Sequence, residues 1–173
     1  MESLARRLWE ARQNNSVVNF ADAAVPASIE EAYSVQDEAV RLSGLSIRGF
    51  KVGSTSKEAQ RLLGTSQPGA GPILEPYLRG SPARLVVTPT QSSAVEGEFA
   101  FRLGRDLPPC EKHYAREELT EAIDAVAGAI EVVGTRIAGG LAGKGRFLVT
   151  ATRASQADLR PSFRSRKPVV CQN

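Results

Sequence analysis

The chain has 173 residues, 42% of them hydrophobic and 24% charged, and carries a net charge of +3. That composition suits a soluble globular chain with one sizeable core, and no window approaches 18 consecutive apolar residues, which excludes a membrane-spanning helix. The charge is unevenly divided: residues 1–135 hold 14 Lys/Arg against 18 Asp/Glu, a balance of −4, whereas residues 136–173 hold 8 against one, a balance of +7.

In chain order, MESLARRLWEARQNN places Leu4, Leu8 and Ala11 at helical spacing. With Glu2 and Glu10 in it, the segment lacks the apolar run of a signal peptide, and a cytoplasmic location is expected. PASIEEAYSVQDEAVRLSG predicts a helix: Ser28 and Glu31 suit a capping box, Ala32, Val35, Ala39 and Leu42 share a face, and Gly44 ends it. IRGFKVGSTS predicts a short strand and turn. SKEAQRLLG predicts a short helix between Ser56 and Gly64. The stretch Gln67–Pro82, rich in Pro and Gly, predicts an ordered loop with short extended pieces.

ARLVVTP and SAVEGEFAFRL read as strands. In the second, Val95, Phe99, Phe101 and Leu103 alternate as a buried face, and Glu96 and Glu98 occupy the other. AREELTEAIDAVAGAI predicts a helix with Leu119, Ile123, Val126 and Ile130 on one side, and a strand takes over at Ile130–Val133. AGGLAGKGRFLV is Gly-rich, with an expected strand at Phe147–Val149. Residues 151–173 show no period and predict a basic, disordered tail. A basic tail suits nucleic acid in charge, but this stretch has a single aromatic residue, Phe163, and no binding motif, so nucleic acid is not an expected partner.

Several chemistries drop out. GGLAGKG fails as a phosphate loop because Ala138 fills the first Gly position and Gly145 replaces the Ser/Thr that holds Mg²⁺. His113 is the only histidine, which excludes a multi-histidine zinc site and leaves a Ser–His–Asp hydrolase poorly supported. Cys110 and Cys171 form neither a disulfide framework nor a metal-ligand spacing.

Glu96 and Glu98 remain. At 3.3 Å per residue they stand about 7 Å apart along one strand face, where each raises the cost of ionising the other. Either the pair is simply solvated, or a hard divalent cation such as Mg²⁺ or Mn²⁺ cancels the repulsion. Glu131, set between Ile130 and Val132, is the candidate third ligand, because a carboxylate in so apolar a setting needs a partner.

RGFKVGSTSKEAQRLLGTSQPGAGPIL, then EGEFAFRLGRDLP, then AIEVVGTRI together resemble the 2-keto-4-pentenoate hydratase and oxalocrotonate decarboxylase group of the fumarylacetoacetate hydrolase superfamily. The resemblance covers residues 1–150. It implies an α+β fold, a fumarylacetoacetate-hydrolase-like mixed β-roll with N-terminal helices. It also implies that Glu96, Glu98 and Glu131 bind Mg²⁺ or Mn²⁺. The block G-x-K-x-G-x-[ST]-S puts Lys51 at the active site, with Ser56 closing it. Hydratase-type relatives carry an aspartate near the segment aligned with ILEPYL. Here Pro76 stands there with Glu75 beside it, so Glu75 is the expected substitute.

The implied reaction is metal-dependent addition of water to a 2-hydroxypenta-2,4-dienoate-type 2-keto or 2-enol acid in the breakdown of aromatic compounds. Oxalocrotonate decarboxylation and acylpyruvate C–C hydrolysis are the nearest alternatives. The family is commonly homo-oligomeric. Family members are longer, and the family-like text stops near Val149–Thr150, so the expected domain is partial. A C-terminally truncated or frame-shifted product, even an inactive fragment that associates with full-length relatives, is the companion expectation.

Overall fold

The computed structural model describes residues 2–19, 25–86, 94–139 and 164–165. α1 (Glu2–Gln13) buries Leu4, Leu8 and Ala11, the stripe their spacing predicts. α2 (Ile29–Ser43) is capped as expected: Ser28 Oγ accepts from the Glu31 amide at 3.2 Å, and Gly44 closes the helix at φ 65°, a left-handed turn that glycine enters without strain. Ala32, Val35 and Ala39 of α2 pack with the α1 stripe, and Val18 and Ile137 complete this core. A parallel bridge joins the last two: the Val18 N–H donates to Arg136 O at 2.7 Å and the Ala138 N–H to Val18 O at 3.0 Å.

β1 (Ile47–Gly53) and α3 (Lys57–Leu63) follow as expected, with Ser56 and Gly64 at the ends of α3. Part of the Pro- and Gly-rich stretch expected as a loop is instead a strand, β2 (Gly69–Leu74), antiparallel to β1 with Val52 opposite Ala70 and Lys51 opposite Gly71. Among the described residues the pair is a two-stranded sheet, and β2, with Pro72 in it, is buried along almost all its length.

α2 ties this strand pair to the helices. Tyr33 Oη accepts from the Ala70 N–H, and Gln36 Nε2 donates to the Ala70 carbonyl, each at 3.2 Å. A 3₁₀ turn, Glu75–Tyr77, succeeds β2, and the Arg12 guanidinium of α1 lies 3.6 Å from the Tyr77 ring centroid. The expected strand Ala83–Pro89 does not form over residues 83–86, and residues 87–89 lie outside the described residues. β-propensity is expressed only where a strand partner is at hand, and here Val86 is exposed.

β3 (Ala94–Leu103) pairs antiparallel with β4 (Ile123–Val133), from Ala94 opposite Val133 to Leu103 opposite Ile123. Two expectations are corrected here. The helix expected to Ile130 stops early: α4 (Arg116–Ala122) gives way to β4 at Ile123. Ala125, Ala127 and Ala129 are buried while Asp124, Val126, Gly128 and Ile130 are exposed, a period of two. Alanine suits either conformation, and the long ladder with β3 outweighs the helical spacing.

The second correction concerns the faces of β3. Val95, Phe99, Phe101 and Leu103, expected inside, are exposed, Phe99 at 79%. The covered side carries Glu98 and Ala100 and faces the same way as the buried alanines of β4. Alternation identifies residues that share a face; it does not say which face is covered.

β5 (Arg164–Ser165) pairs antiparallel with Ala125 and Val126, inside the stretch expected as a patternless tail. The rest of residues 151–173, and the strand expected at Phe147–Val149, lie outside the described residues. Among the described residues no helix is long and apolar enough to cross a membrane.

Candidate metal centre

The strand register assembles the three acids. Glu96 stands directly opposite Glu131, and Glu98, opposite Ala129, is diagonal to it on the same face. Directly opposed Cβ atoms lie about 5 Å apart and diagonal ones somewhat farther, so side chains as long as glutamate converge. Each acid offers a carboxylate oxygen, and these oxygens all lie within 4.8 Å of one another. The small Ala129 opposite Glu98 leaves room for that convergence. Burial is graded: Glu96 is exposed, Glu98 half-buried and Glu131 buried.

β1 delivers the fourth member. Along β1, Gly49, Lys51 and Gly53 are more covered than Phe50 and Val52, so Lys51 turns inward. Its Nζ donates to Glu131 Oε1 in an ion pair whose side chains are only 14% and 7% exposed. That pair bridges two separate sheets, β1–β2 and β3–β4. Burial first, then the charges of Glu131 and Glu96, push the Glu98 carboxyl above its usual range, while Lys51 pulls it down. A group raised by both desolvation and like charge is one that a bound cation would relieve.

The donor set fits a hard divalent ion. Oxygens opposite one another around an octahedral ion are about 4.1 Å apart for Mg²⁺ and about 4.8 Å for Ca²⁺, from ion–oxygen distances of roughly 2.05 and 2.4 Å. The spacing of the three carboxylates falls within reach of either by small side-chain adjustments. Three carboxylates without sulfur or imidazole favour Mg²⁺, Mn²⁺ or Ca²⁺ over softer metals.

The other two expected site residues are not brought to this cluster. Ser56 Oγ accepts from the Ala59 amide at 3.0 Å, so its hydroxyl caps α3. Glu75 is exposed beyond the end of β2, four residues from Gly71, which faces Lys51; that is about 13 Å along an extended strand. Tyr33 and Gln36, which hold the backbone opposite β1, were not legible as site-supporting residues. The available signal is Gln36 itself, a polar side chain within the apolar stripe of α2.

No family model matches the chain. It is 30% identical over 141 residues to a 2-keto-4-pentenoate hydratase of Paraburkholderia xenovorans, an overlap of 79% of this chain and 52% of the relative. It is also 32% identical over 143 residues to the 2-hydroxyhexa-2,4-dienoate hydratase of Comamonas testosteroni, covering 79% and 53%. The chain is a relative of the 2-keto-4-pentenoate hydratases. It spans about half the length of these hydratases.

Its fold matches that of 4-oxalocrotonate decarboxylase from Pseudomonas putida G7, solved in complex with magnesium and adipate. The TM-score is 0.73 at 21% identity, over 95% of this chain and 63% of the decarboxylase. The resemblance drawn from the sequence motifs is thereby supported, and the fold is the mixed helix-and-sheet arrangement expected.

Proposed function

We propose that the chain carries the cation-binding and substrate-anchoring site of a 2-keto-4-pentenoate hydratase-like lyase, which adds water to a 2-hydroxypenta-2,4-dienoate-type acid. The observation that carries this reading is the register that sets Glu131 against Glu96 and beside Glu98, with Lys51 on Glu131. Glu96, Glu98 and Glu131 would hold Mg²⁺ or Mn²⁺. When bound, such an ion supplies stabilisation for negative charge on the 2-oxygen of a 2-keto acid.

The chain's own residues set the geometry around that chemistry. The three glutamates present hard oxygens from one sheet face, and the Lys51 ammonium adds a positive charge beside them, matched to an anionic substrate. In the overall reaction a proton moves from the 2-hydroxyl to C5. Water then adds across C3 and C4, its hydroxyl at C4 and its proton at C3, giving a 4-hydroxy-2-oxo acid. Ser56 supports this arrangement by capping the helix that follows the lysine strand. Ser56, its hydroxyl engaged as the cap of α3, and Glu75, exposed past the end of β2, have no assigned contact with substrate. Homo-oligomeric assembly and a role in aromatic-compound breakdown belong to the same reading.

A second reading, decarboxylation of an oxalocrotonate-type acid, is favoured by the structural likeness to the decarboxylase. The test is a parallel assay of a 2-hydroxypenta-2,4-dienoate, a 4-oxalocrotonate and an acylpyruvate with Mg²⁺ or Mn²⁺, beside Glu131→Gln. Metal-dependent loss of dienoate absorbance, abolished by the substitution, supports hydration. Release of CO₂ from oxalocrotonate alone selects the second reading, and cleavage of the acylpyruvate alone selects a C–C hydrolase. Inertness toward all three, with no Mn²⁺ binding, overturns every enzymatic reading and leaves an inactive chain.

A further inference from the structure

Three carboxylates with mutually close oxygens, one of them buried, cannot sit together without compensating charge. Lys51 supplies one unit of it, from a different sheet and against the most buried of the three acids. We propose that Lys51 is the resident counter-ion of the triad, holding Glu131 while no divalent ion is bound, and that cation binding expels its ammonium from Glu131. This rests on reading the triad as a cation site.

The reason is geometric. The ammonium sits on Oε1 of the residue that would be the most buried ligand. An ion bound at roughly 2.1–2.4 Å from Glu131 Oε1 itself lies about 4 Å from the nitrogen hydrogen-bonded to that same oxygen. Two cations at that distance, on a side chain 7% exposed, receive little screening from water. Both compete for the same Oε1, and the one on a flexible four-carbon stem is free to swing away. The lysine is therefore a competitor of the metal. The same movement frees its charge for an anionic substrate arriving after the ion.

The competition has a sign that a merely supportive lysine lacks. Calorimetric titration with Mn²⁺ compares wild type, Lys51→Met, Lys51→Arg and Glu131→Gln. The expected result is that Lys51→Met binds Mn²⁺ about tenfold more tightly than wild type, Lys51→Arg stays near wild type, and Glu131→Gln loses binding. Equal or weaker binding by a folded Lys51→Met, with wild type binding and Glu131→Gln not, overturns the counter-ion role while leaving the cation site standing. Failure of wild type to bind overturns the cation site and this inference together.

Because Lys51→Met removes a buried partner, a second measurement uses the unaltered protein. In ¹⁵N-lysine side-chain NMR, the shielded Lys51 ammonium gives a slowly exchanging signal in metal-free solution. That signal should shift and exchange faster as diamagnetic Mg²⁺ saturates the site. A signal unchanged at saturation overturns the proposal.

Discussion

Removing the lysine without its acid is the most informative stability experiment. In the metal-free protein, Lys51→Met leaves Glu131 buried beside Glu96 and Glu98 with no ammonium on it. At about 4 Å and an effective dielectric near 20, the lost attraction is on the order of 4 kcal/mol, and deleting one partner of a buried pair costs about 3–5 kcal/mol. For a chain of this size that is a fall in Tm of roughly 6–20 °C. Glu131→Gln should cost far less, because it keeps an oxygen acceptor and removes two repulsions.

The double variant should then be more stable than Lys51→Met alone, with a coupling of at least about 1.5 kcal/mol. Urea unfolding in EDTA across this four-protein cycle measures it. A Lys51→Met cost below about 1 kcal/mol, with the two substitutions additive within about 0.5 kcal/mol, would be the behaviour of a solvated surface pair and would refute the reasoning.

Other expectations follow from the same structure. If Glu131 is a ligand as proposed, Glu131→Gln should weaken Mn²⁺ binding at least about 100-fold by calorimetry, more than the 10- to 100-fold typical of residues behind the ligands. The Glu98 carboxyl lies above its usual range, so the folded, metal-free chain holds this proton more tightly than the unfolded chain. Its contribution is complete below the ordinary glutamate range and is lost as the pH rises through the raised folded value. A melting series should show this segment in wild type and not in Glu98→Gln, and saturating Mg²⁺ should reverse its sign. Tyr33→Phe leaves the Ala70 amide without the acceptor that now receives it and should cost about 1–2 kcal/mol in urea unfolding. Phe99→Lys, on the open apolar face, should change unfolding free energy by less than about 0.5 kcal/mol yet reduce self-association in sedimentation runs.

Local chemistry was the most legible part of the chain. Ser28, Gly44, Ser56 and Gly64 each mark a helix end through an interaction within a few residues, and all four occupy those ends. The acids were legible for a related reason, since period two places Glu96 and Glu98 on one face wherever the strand goes. That Glu131 meets them depends on the β3–β4 register, which alternation does not specify but the order of the motif blocks implies. Ile123–Ala129 was misread because its alanines satisfy both periods, and only the neighbouring strand decides between them. The exposure of Phe99 and Phe101 was not legible, because the sequence states which residues share a side and not what covers it. Glu75, the acid expected to substitute by type, stands exposed at the start of a 3₁₀ turn, four residues past the Gly71 that faces Lys51.

The division of the candidate centre between two strand ladders has a consequence for how it comes into being. The acids ride on one ladder and the ammonium on another, joined by a salt link across a seam with no shared strand among the described residues. Neither ladder holds a working constellation alone, so maturation of the centre coincides with docking of the two halves. Solvent entry at that seam, read by proton exchange at the Lys51–Glu131 junction, would report the assembly of the whole.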